Sequence, residues 1–249
     1  MPAYQLAQAV SEQLRMGRVL PLGGPSDGAW ITERAAADAL RAAVGSPAGV
    51  RWGTPRLSLA DPESAPRPEV PAPPSALPPG PLRIEADFAA YADRPLPAVA
   101  ELLRAALVDA AEQELGLVVN AVDLRADDLL EADAAERTDR AAPASTAGGP
   151  VTPQKARSGA TQDGPEGIGA VVRGIPGVAR LAPALGARPV RLAEGHAFVQ
   201  LTTVAGHRAL EVARAVRAAV TAAAPSARTV AVLVTGVEGN FSGRARPVG

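Results

Sequence analysis

Few side chains in this chain have an ordinary pKa near neutral pH. There are two histidines, His196 and His207, and no cysteine among the 249 residues. Histidine is the usual general base at neutral pH. The two histidines bracket a predicted strand, however, and a straight strand would hold them roughly 30–35 Å apart. We therefore expect no catalytic or metal site built on histidine. The lack of cysteine excludes thiolate nucleophiles and cysteine-ligated metals.

Carboxylates gather after the predicted third strand, where they could in principle hold a divalent cation. The cluster consists of Asp127, Asp128, Glu131, Asp133 and Glu136. A calcium loop needs a defined ligand spacing with a glycine at the turn, and this cluster has neither. We interpret it as a solvated entry into a linker.

The segment from Leu22 to Gly28 is the one glycine-rich loop that could bind a phosphate. It lies between a short apolar run and a predicted helix, but Pro25 removes an amide donor and no dinucleotide or Walker spacing is present. We expect a turn that joins an N-terminal helix to the first folded unit. No serine has a nucleophile-elbow context, and Arg244 and Arg246 are expected to be solvated. The sequence thus predicts no catalytic, cofactor-binding or metal-binding residue.

Composition limits the possible partners and the kind of core. The net charge is −1, so no general attraction to nucleic acid or anionic lipid is expected. Aromatic residues make up only 3% of the chain, which predicts small aliphatic cores. The first fifteen residues lack the apolar core of a secretory signal. No apolar run approaches the ~20 residues that span a bilayer. We expect a cytoplasmic protein without an integral membrane segment.

Two segments lack the residues that build a core. Residues 60–81 contain nine prolines and predict an extended, polyproline-like insertion. Residues 131–166 are rich in Ala, Gly, Ser, Thr and Pro, with Val151 as the one large aliphatic residue, and predict a disordered linker.

The remaining sequence alternates between helical and strand periodicity, in the same order in both halves. The first half predicts, in order, a helix over Ile31–Val44 capped by Thr32, strands over Val50–Leu59 and Leu82–Ala89, a helix from Pro95 to Gly116 and a strand over Leu117–Leu124. The second half predicts a short helix before Ile175, a strand over His196–Val204, a helix over Arg208–Ala223 and a strand over Thr229–Val237.

The long helices of the two halves align without a gap. The first, from Val99 to Leu107, matches the second from Val212 to Val220, and the pair Gly49–Val50 matches Gly177–Val178. We predict an internal duplication and an α+β fold of two small αββαβ units, each a short sheet covered by two helices, joined by the disordered linker. The predicted parts are an N-terminal helix and turn (1–28), a first unit (29–130), the linker (131–166), a second unit (167–239) and a flexible tail (240–249).

The pattern resembles the alkaline-shock or envelope stress-response family of Gram-positive bacteria, in an actinobacterial form with two diverged copies. The resemblance is carried by IGAVVRGIPGV at Ile168–Val178 and ARAVRAAV in the last helix. In the first copy it is carried by ITERAAADALRAAV and LRIEADFAAY.

The resemblance implies a non-enzymatic scaffold that self-associates or binds a small membrane-anchor protein at the inner face of the membrane. It supplies no catalytic residue and no cofactor. A small nucleic-acid-binding module is the alternative, although the sequence has no basic face, no GXXG clamp and few aromatics for base stacking. A small-molecule enzyme is a third possibility.

Overall fold

The fold is described from a computed structural model that covers residues 17–130, apart from residues 46, 48 and 93, and residues 164–239. The predicted N-terminal helix, nearly all of the linker 131–166 and the tail 240–249 lie outside the described residues. So do Glu131, Asp133, Glu136, Arg244 and Arg246.

The described residues form an α+β fold with four α-helices and ten strands. In chain order the elements are β1 (Val19–Leu22), β2 (Ala29–Thr32), α1 (Glu33–Val44), β3 (Val50–Trp52), β4 (Arg56–Leu59), β5 (Leu82–Tyr91), α2 (Leu96–Ala110) with a π-helical turn (Ala111–Leu115), β6 (Val119–Leu130), α3 (Pro165–Arg173), β7 (Val178–Leu181), β8 (Val190–Ala193), β9 (His196–Val204), α4 (Ala209–Ala223) and β10 (Thr229–Glu238).

The strands form two mixed sheets. In sheet A the order is β1-β2-β10-β9, and β7 and β8 both pair with the far edge of β9. In sheet B, β3 and β4 pair antiparallel with one edge of β5, and β6 pairs parallel with the other. The core of each half thus has two short antiparallel strands, a long central strand and a parallel last strand that follows a helix.

The junction before the first strand of each half is also alike. Gly49 and Gly177 both have positive φ, at 76° and 86°, a conformation that glycine adopts without a Cβ penalty. The amide of Tyr91 donates to the carbonyl of Gly49, and the amide of Val204 donates to that of Gly177. The two halves therefore share their connectivity and their strand pairing.

Several predicted element bounds are wrong in detail. The predicted strand Val50–Leu59 is two strands, β3 and β4, because the chain breaks at Gly53–Pro55. Helix α1 begins at Glu33, since the Thr32 side chain accepts the Ala35 amide as an N-cap. Ile31 consequently belongs to β2. In the second half, the short strands β7 and β8 precede β9, where the sequence pattern placed no bounded strand. Each half therefore has three strands before its second helix, and the predicted αββαβ order is wrong by one strand.

The segment that precedes α1 is a hairpin that belongs to the sheet of the second half. Strands β1 and β2 pair antiparallel, and β2 pairs parallel with β10, with Ala29 opposite Val232 and Ile31 opposite Val234. The predicted boundary between residues 28 and 29 falls within this hairpin. The N-terminal residues therefore complete sheet A and tie the two halves of the chain together.

One hydrophobic cluster runs through both halves. It includes Leu40 of α1, Leu115 of the π-helical turn and Val216 of α4, all fully buried. Gly116 lies where the two halves approach each other closely. It ends the π-helical turn with φ of 80°, and a Cβ placed there would lie 2.5 Å from the Leu210 Cβ. A side chain at residue 116 would push the halves apart.

The proline-rich insertion 60–81 contributes to a core, contrary to the prediction from its composition. Val70 is 6% exposed and packs with Trp30, Phe198 and Leu233 in a second cluster on the outer face of sheet A. The Leu77 amide donates to the Val19 carbonyl at 2.8 Å. An extended segment with one well-placed valine can therefore cover a sheet, although its average composition is poor in apolar residues.

Candidate functional site

His196 is held at the start of β9 by a structural contact. Its Nδ1 lies 2.8 Å from the Thr229 hydroxyl of β10. Burial lowers the pKa of His196 below its usual value, and the positive charge of Arg191 lowers it further. The open hollow beside it, of about 600 Å³, is lined also by Gly195, Arg228 and Thr229. At neutral pH the imidazole is uncharged and is used to join two strands.

His207 lies beyond the other end of β9, after the turn that follows Val204. Its backbone amide donates to the Val204 carbonyl at 3.2 Å, and its ring carbon packs against Gly177. The structure therefore separates the two histidines by the whole length of β9. Within the described ranges, no three His, Asp or Glu side chains come together as they would to hold a metal ion.

The described part of the acidic cluster belongs to a strand, and not to a linker entry as predicted. Asp127 and Asp128 lie in β6, which continues to Leu130. Asp127 forms a bulge, and Asp128 pairs with Arg51 of β3 at 3.2 Å. The carboxylates are exposed and hold strand contacts on the sheet surface.

The glycine-rich loop is the turn of the β1–β2 hairpin, and Asp27 organises it. The Asp27 carboxylate accepts the Gly24 amide at 2.7 Å and two hydrogen bonds from Arg214 of α4, at 2.8 and 3.2 Å. Partial burial alone would raise the pKa of Asp27. The hydrogen bonds from Arg214 and Gly24, with the charges of Arg214 and Arg217, outweigh burial and lower it. The loop thus binds arginines of α4, and these contacts hold the hairpin in sheet A.

A cleft of about 410 Å³ lies between the two halves, and its two arginines are already engaged. It is lined by the hairpin turn, by residues 116–119 and by Arg208 and Arg214 of α4. Arg208 donates to the Glu112 carbonyl at 2.9 Å, and Arg214 also pairs with Glu211 at 2.9 Å. The hydrogen bonds of Arg208 and Arg214 therefore serve to hold the walls of the cleft in place.

The outer faces of the two sheets differ sharply. In sheet A, Gln200 is fully buried and makes four hydrogen bonds to the backbone of residues 184–188, which holds that loop over the sheet. Arg191 stacks on Phe198 with 4.9 Å to the ring centroid. Together with Val70 of the insertion, these contacts cover the outer face of sheet A.

The outer face of sheet B is charged and exposed to solvent. Glu85 and Asp87 of β5 occupy the positions that Phe198 and Gln200 hold in β9, by strand register. Arg83 of β5 pairs with Asp123 of β6 at 2.8 Å. The charges on this face balance, with four of each sign: Arg51, Arg56, Arg83 and Arg125 against Glu85, Asp87, Asp123 and Asp128.

The edge of β6 is the surface that the fold leaves open. In sheet A, the corresponding edge of β10 pairs with β2 of the N-terminal hairpin. In sheet B, no strand of the described ranges pairs with β6 on the side away from β5. This edge of the twelve-residue strand β6 therefore has no strand partner in the described ranges, and such an edge is a template for another strand. We take this open edge, with the charged face beside it, as the candidate functional site.

This site was not predicted, because the last strand of the first half was expected to end at Leu124 and because local pattern does not show which sheet edge stays unpaired. The strand register places Asp123 and Arg125 where β10 has Ala231 and Leu233. Polar residues at those two positions mark an outer face that the chain does not cover.

Comparisons with known proteins give no family assignment. No protein-family model matches the chain, and neither a curated protein nor a solved structure matches it. In the described ranges, no helix has both the length and the apolar character needed to cross a bilayer.

Proposed function

We propose that this chain is a non-enzymatic interaction protein that acts in the envelope or general stress response by self-association or by binding a membrane-anchored partner. The observation that carries the proposal is the open edge of β6, whose counterpart β10 is closed by the chain's own hairpin. Main-chain hydrogen bonds to an exposed sheet edge are a common means of protein association.

The groups that could do chemistry support the same proposal, since each has a structural task. His196 contacts Thr229, and Asp27 binds Arg214. In the cleft between the two halves, Arg208 donates to the backbone carbonyl of Glu112, and Arg214 pairs with the Glu211 carboxylate. A reaction at Asp27 or at Arg208 would need to break contacts that hold the two halves together.

We also propose that the two halves are copies of one unit. They share the strand pairing around the central strands β5 and β9, and both junctions use a glycine with positive φ. The resemblance to the alkaline-shock family connects this repeat to stress response. In this proposal the protein works in the cytoplasm, at the inner face of the membrane when its partner is a small membrane-anchor protein.

The alternative of a nucleic-acid-binding module fits the open face less well. Binding to phosphates requires a surplus of arginine and lysine on the contact surface. The outer face of sheet B instead balances its four arginines with four carboxylates. A filter-binding assay with single-stranded RNA at low salt tests this alternative, and binding that weakens steeply with salt would favour it over the protein scaffold.

The experiment that tests the proposed function is a complementation assay in the producing bacterium. A deletion strain should lose survival under alkaline or cell-wall stress, and the full chain should restore it. The double variant His196→Gln/His207→Asn should restore survival as well, because neither imidazole takes part in a reaction. A double variant that melts like the wild type but fails to complement would indicate a chemical site. A deletion strain with normal survival would contradict the stress role.

A further inference from the structure

The backbone groups of β6 that face the open edge can be assigned from its counterpart β10. Both strands carry a one-residue bulge at the same place in their register, at Asp127 and at Thr235. Counting back from these bulges, Leu124 corresponds to Val232. The Val232 amide donates to the Gly28 carbonyl on the hairpin at 2.9 Å. The amide and carbonyl of Leu124 therefore point out of sheet B at the open edge.

A regular stretch of β6 is available for pairing between two irregularities. The register with β5 shifts at Asn120 and again at Asp127, so residues 121–126 are evenly paired. Val122 shares the outward direction of Leu124. Its carbonyl accepts Arg104 Nε at 3.2 Å, which leaves its second lone pair for another donor.

We propose that a second copy of this chain occupies the open edge, with the two β6 strands antiparallel and the two Leu124 residues opposite each other at a two-fold axis. The proposal rests on the proposed function and specifies its self-association. In this register Asp123 of each copy lies opposite Arg125 of the other, which makes two equivalent ion pairs. Val122 lies opposite Ala126. The two copies of sheet B would then form one continuous sheet.

Charge selects this register from the neighbouring ones. With the axis at Asp123, two aspartates would face each other, and with the axis at Arg125, two arginines would. Like charges directly opposite on adjacent strands are destabilising. With the axis at Val122, Asp123 would face Ala121 and gain no pair. Within the regular stretch, the axis at Leu124 alone pairs both charges, as an isologous interface requires.

Both charged groups are available for such a pair. Arg125 is exposed and forms no ion pair with any described residue. Asp123 is paired with Arg83 at 2.8 Å, but its side chain is 55% exposed, and a carboxylate can accept hydrogen bonds from two guanidinium groups.

Charge reversal in the full-length chain tests the register. Sedimentation velocity should show a concentration-dependent dimer for the wild type. Asp123→Arg and Arg125→Asp should each weaken the dimer by about tenfold or more, since each variant creates two like-charge pairs. The double variant Asp123→Arg/Arg125→Asp restores both pairs and should dimerise like the wild type. Asp38→Arg makes the same charge change on the exposed surface of α1, away from β6, and should not weaken the dimer.

Cysteine cross-linking measures the same register by distance, because the chain has no cysteine of its own. Residues 123 and 125 of the two copies would be a non-hydrogen-bonded pair with Cα atoms about 4.5 Å apart, within the range for a disulfide. A mixture of the Asp123→Cys and Arg125→Cys variants should form a mixed disulfide dimer under mild oxidation. Either variant alone should cross-link much less.

The outcomes separate this inference from the proposed function. If neither charge reversal weakens the dimer, the dimer uses another surface. The β6 pairing is then overturned, while a self-associating scaffold remains. A wild-type chain that stays monomeric up to high concentration also overturns the pairing. The proposed function then depends on the membrane-anchored partner, and the complementation assay decides it separately.

Discussion

Arg104 and Arg217 make the same hydrogen bond in the two halves of the chain. Nε of Arg104 donates to the Val122 carbonyl of β6 at 3.2 Å, and Nε of Arg217 donates to the Val230 carbonyl of β10 at 3.0 Å. The two arginines differ in their other hydrogen bonds. Arg217 also donates to the Ser26 carbonyl at 2.8 Å and so holds the N-terminal hairpin, whereas Arg104 turns to Glu101 of its own helix.

This difference predicts unequal effects of the same substitution. Arg217→Met should lower the free energy of unfolding by about 2–3 kcal/mol, because it removes charged hydrogen bonds that join α4, β10 and the hairpin. Arg104→Met removes one strand contact and should cost about 1 kcal/mol. Urea unfolding of the two variants measures the difference. Equal losses would mean that Arg217 does not secure the hairpin.

The Asp27–Arg214 pair predicts a stability loss in acid. The folded-state pKa of Asp27 is lowered, so its contribution is present above the unfolded value of about 4 and is lost as the pH falls through the folded pKa. Asp27→Asn should lower the free energy of unfolding by about 1–2 kcal/mol at pH 7. The gap between variant and wild type should shrink below about pH 4.

The control for this experiment is Asp38→Asn, which changes an exposed carboxylate paired with Arg34 on the surface of α1. Exposed pairs contribute little, so this variant should be nearly as stable as the wild type at pH 7. An Asp27→Asn variant as stable as the wild type at pH 7 would contradict the role of the pair.

The burial of Val70 against sheet A predicts that the proline-rich insertion stabilises this sheet. Val70→Asp would place a charge against Trp30 and Phe198 and should cost about 2–3 kcal/mol. The tryptophan fluorescence should shift to the red as water reaches Trp30. The exposed neighbour Glu69 gives the control Glu69→Gln, which should change neither quantity. If Val70→Asp behaved like the control, the insertion would not be packed on the sheet.

Val216 tests the buried face of the last helix. It is fully buried in the shared core, so Val216→Asp should destabilise the protein by about 3–5 kcal/mol and abolish its association with any partner. Val204 at the end of β9 is 37% exposed, and Val204→Asp should cost less than about 1 kcal/mol. Thermal melts compare the two variants, and similar melting temperatures would place Val216 outside the core.

The elements found from the sequence were those with a clear local period. Helix α4 and strand β9 were predicted within one or two residues, because apolar residues recur along them at the helical or the strand spacing. Strands β7 and β8 have only four residues each, too few to show a period. The same is true of β1, which also contains Pro21.

Long-range pairing could not be predicted from local pattern. Nothing in the segment Val19–Thr32 indicates that its partner is β10, some 200 residues later in the chain. The open edge of β6 follows from that pairing, since it is the absence of a second hairpin that leaves the edge exposed in the described ranges. The candidate site can therefore be recognised only once the strand order is known, although Asp123 and Arg125 can be read from the sequence.

Amide hydrogen exchange at Leu124 tests the central claim most directly. The Val232 amide is bonded to Gly28 within the chain and should be protected at every protein concentration. The Leu124 amide, its counterpart on β6, should exchange rapidly in dilute protein and become protected as the concentration rises and the second copy pairs. Rapid exchange of Leu124 at all concentrations, beside a protected Val232, would contradict pairing at this edge. Full protection of Leu124 in the dilute monomer would equally contradict an open edge.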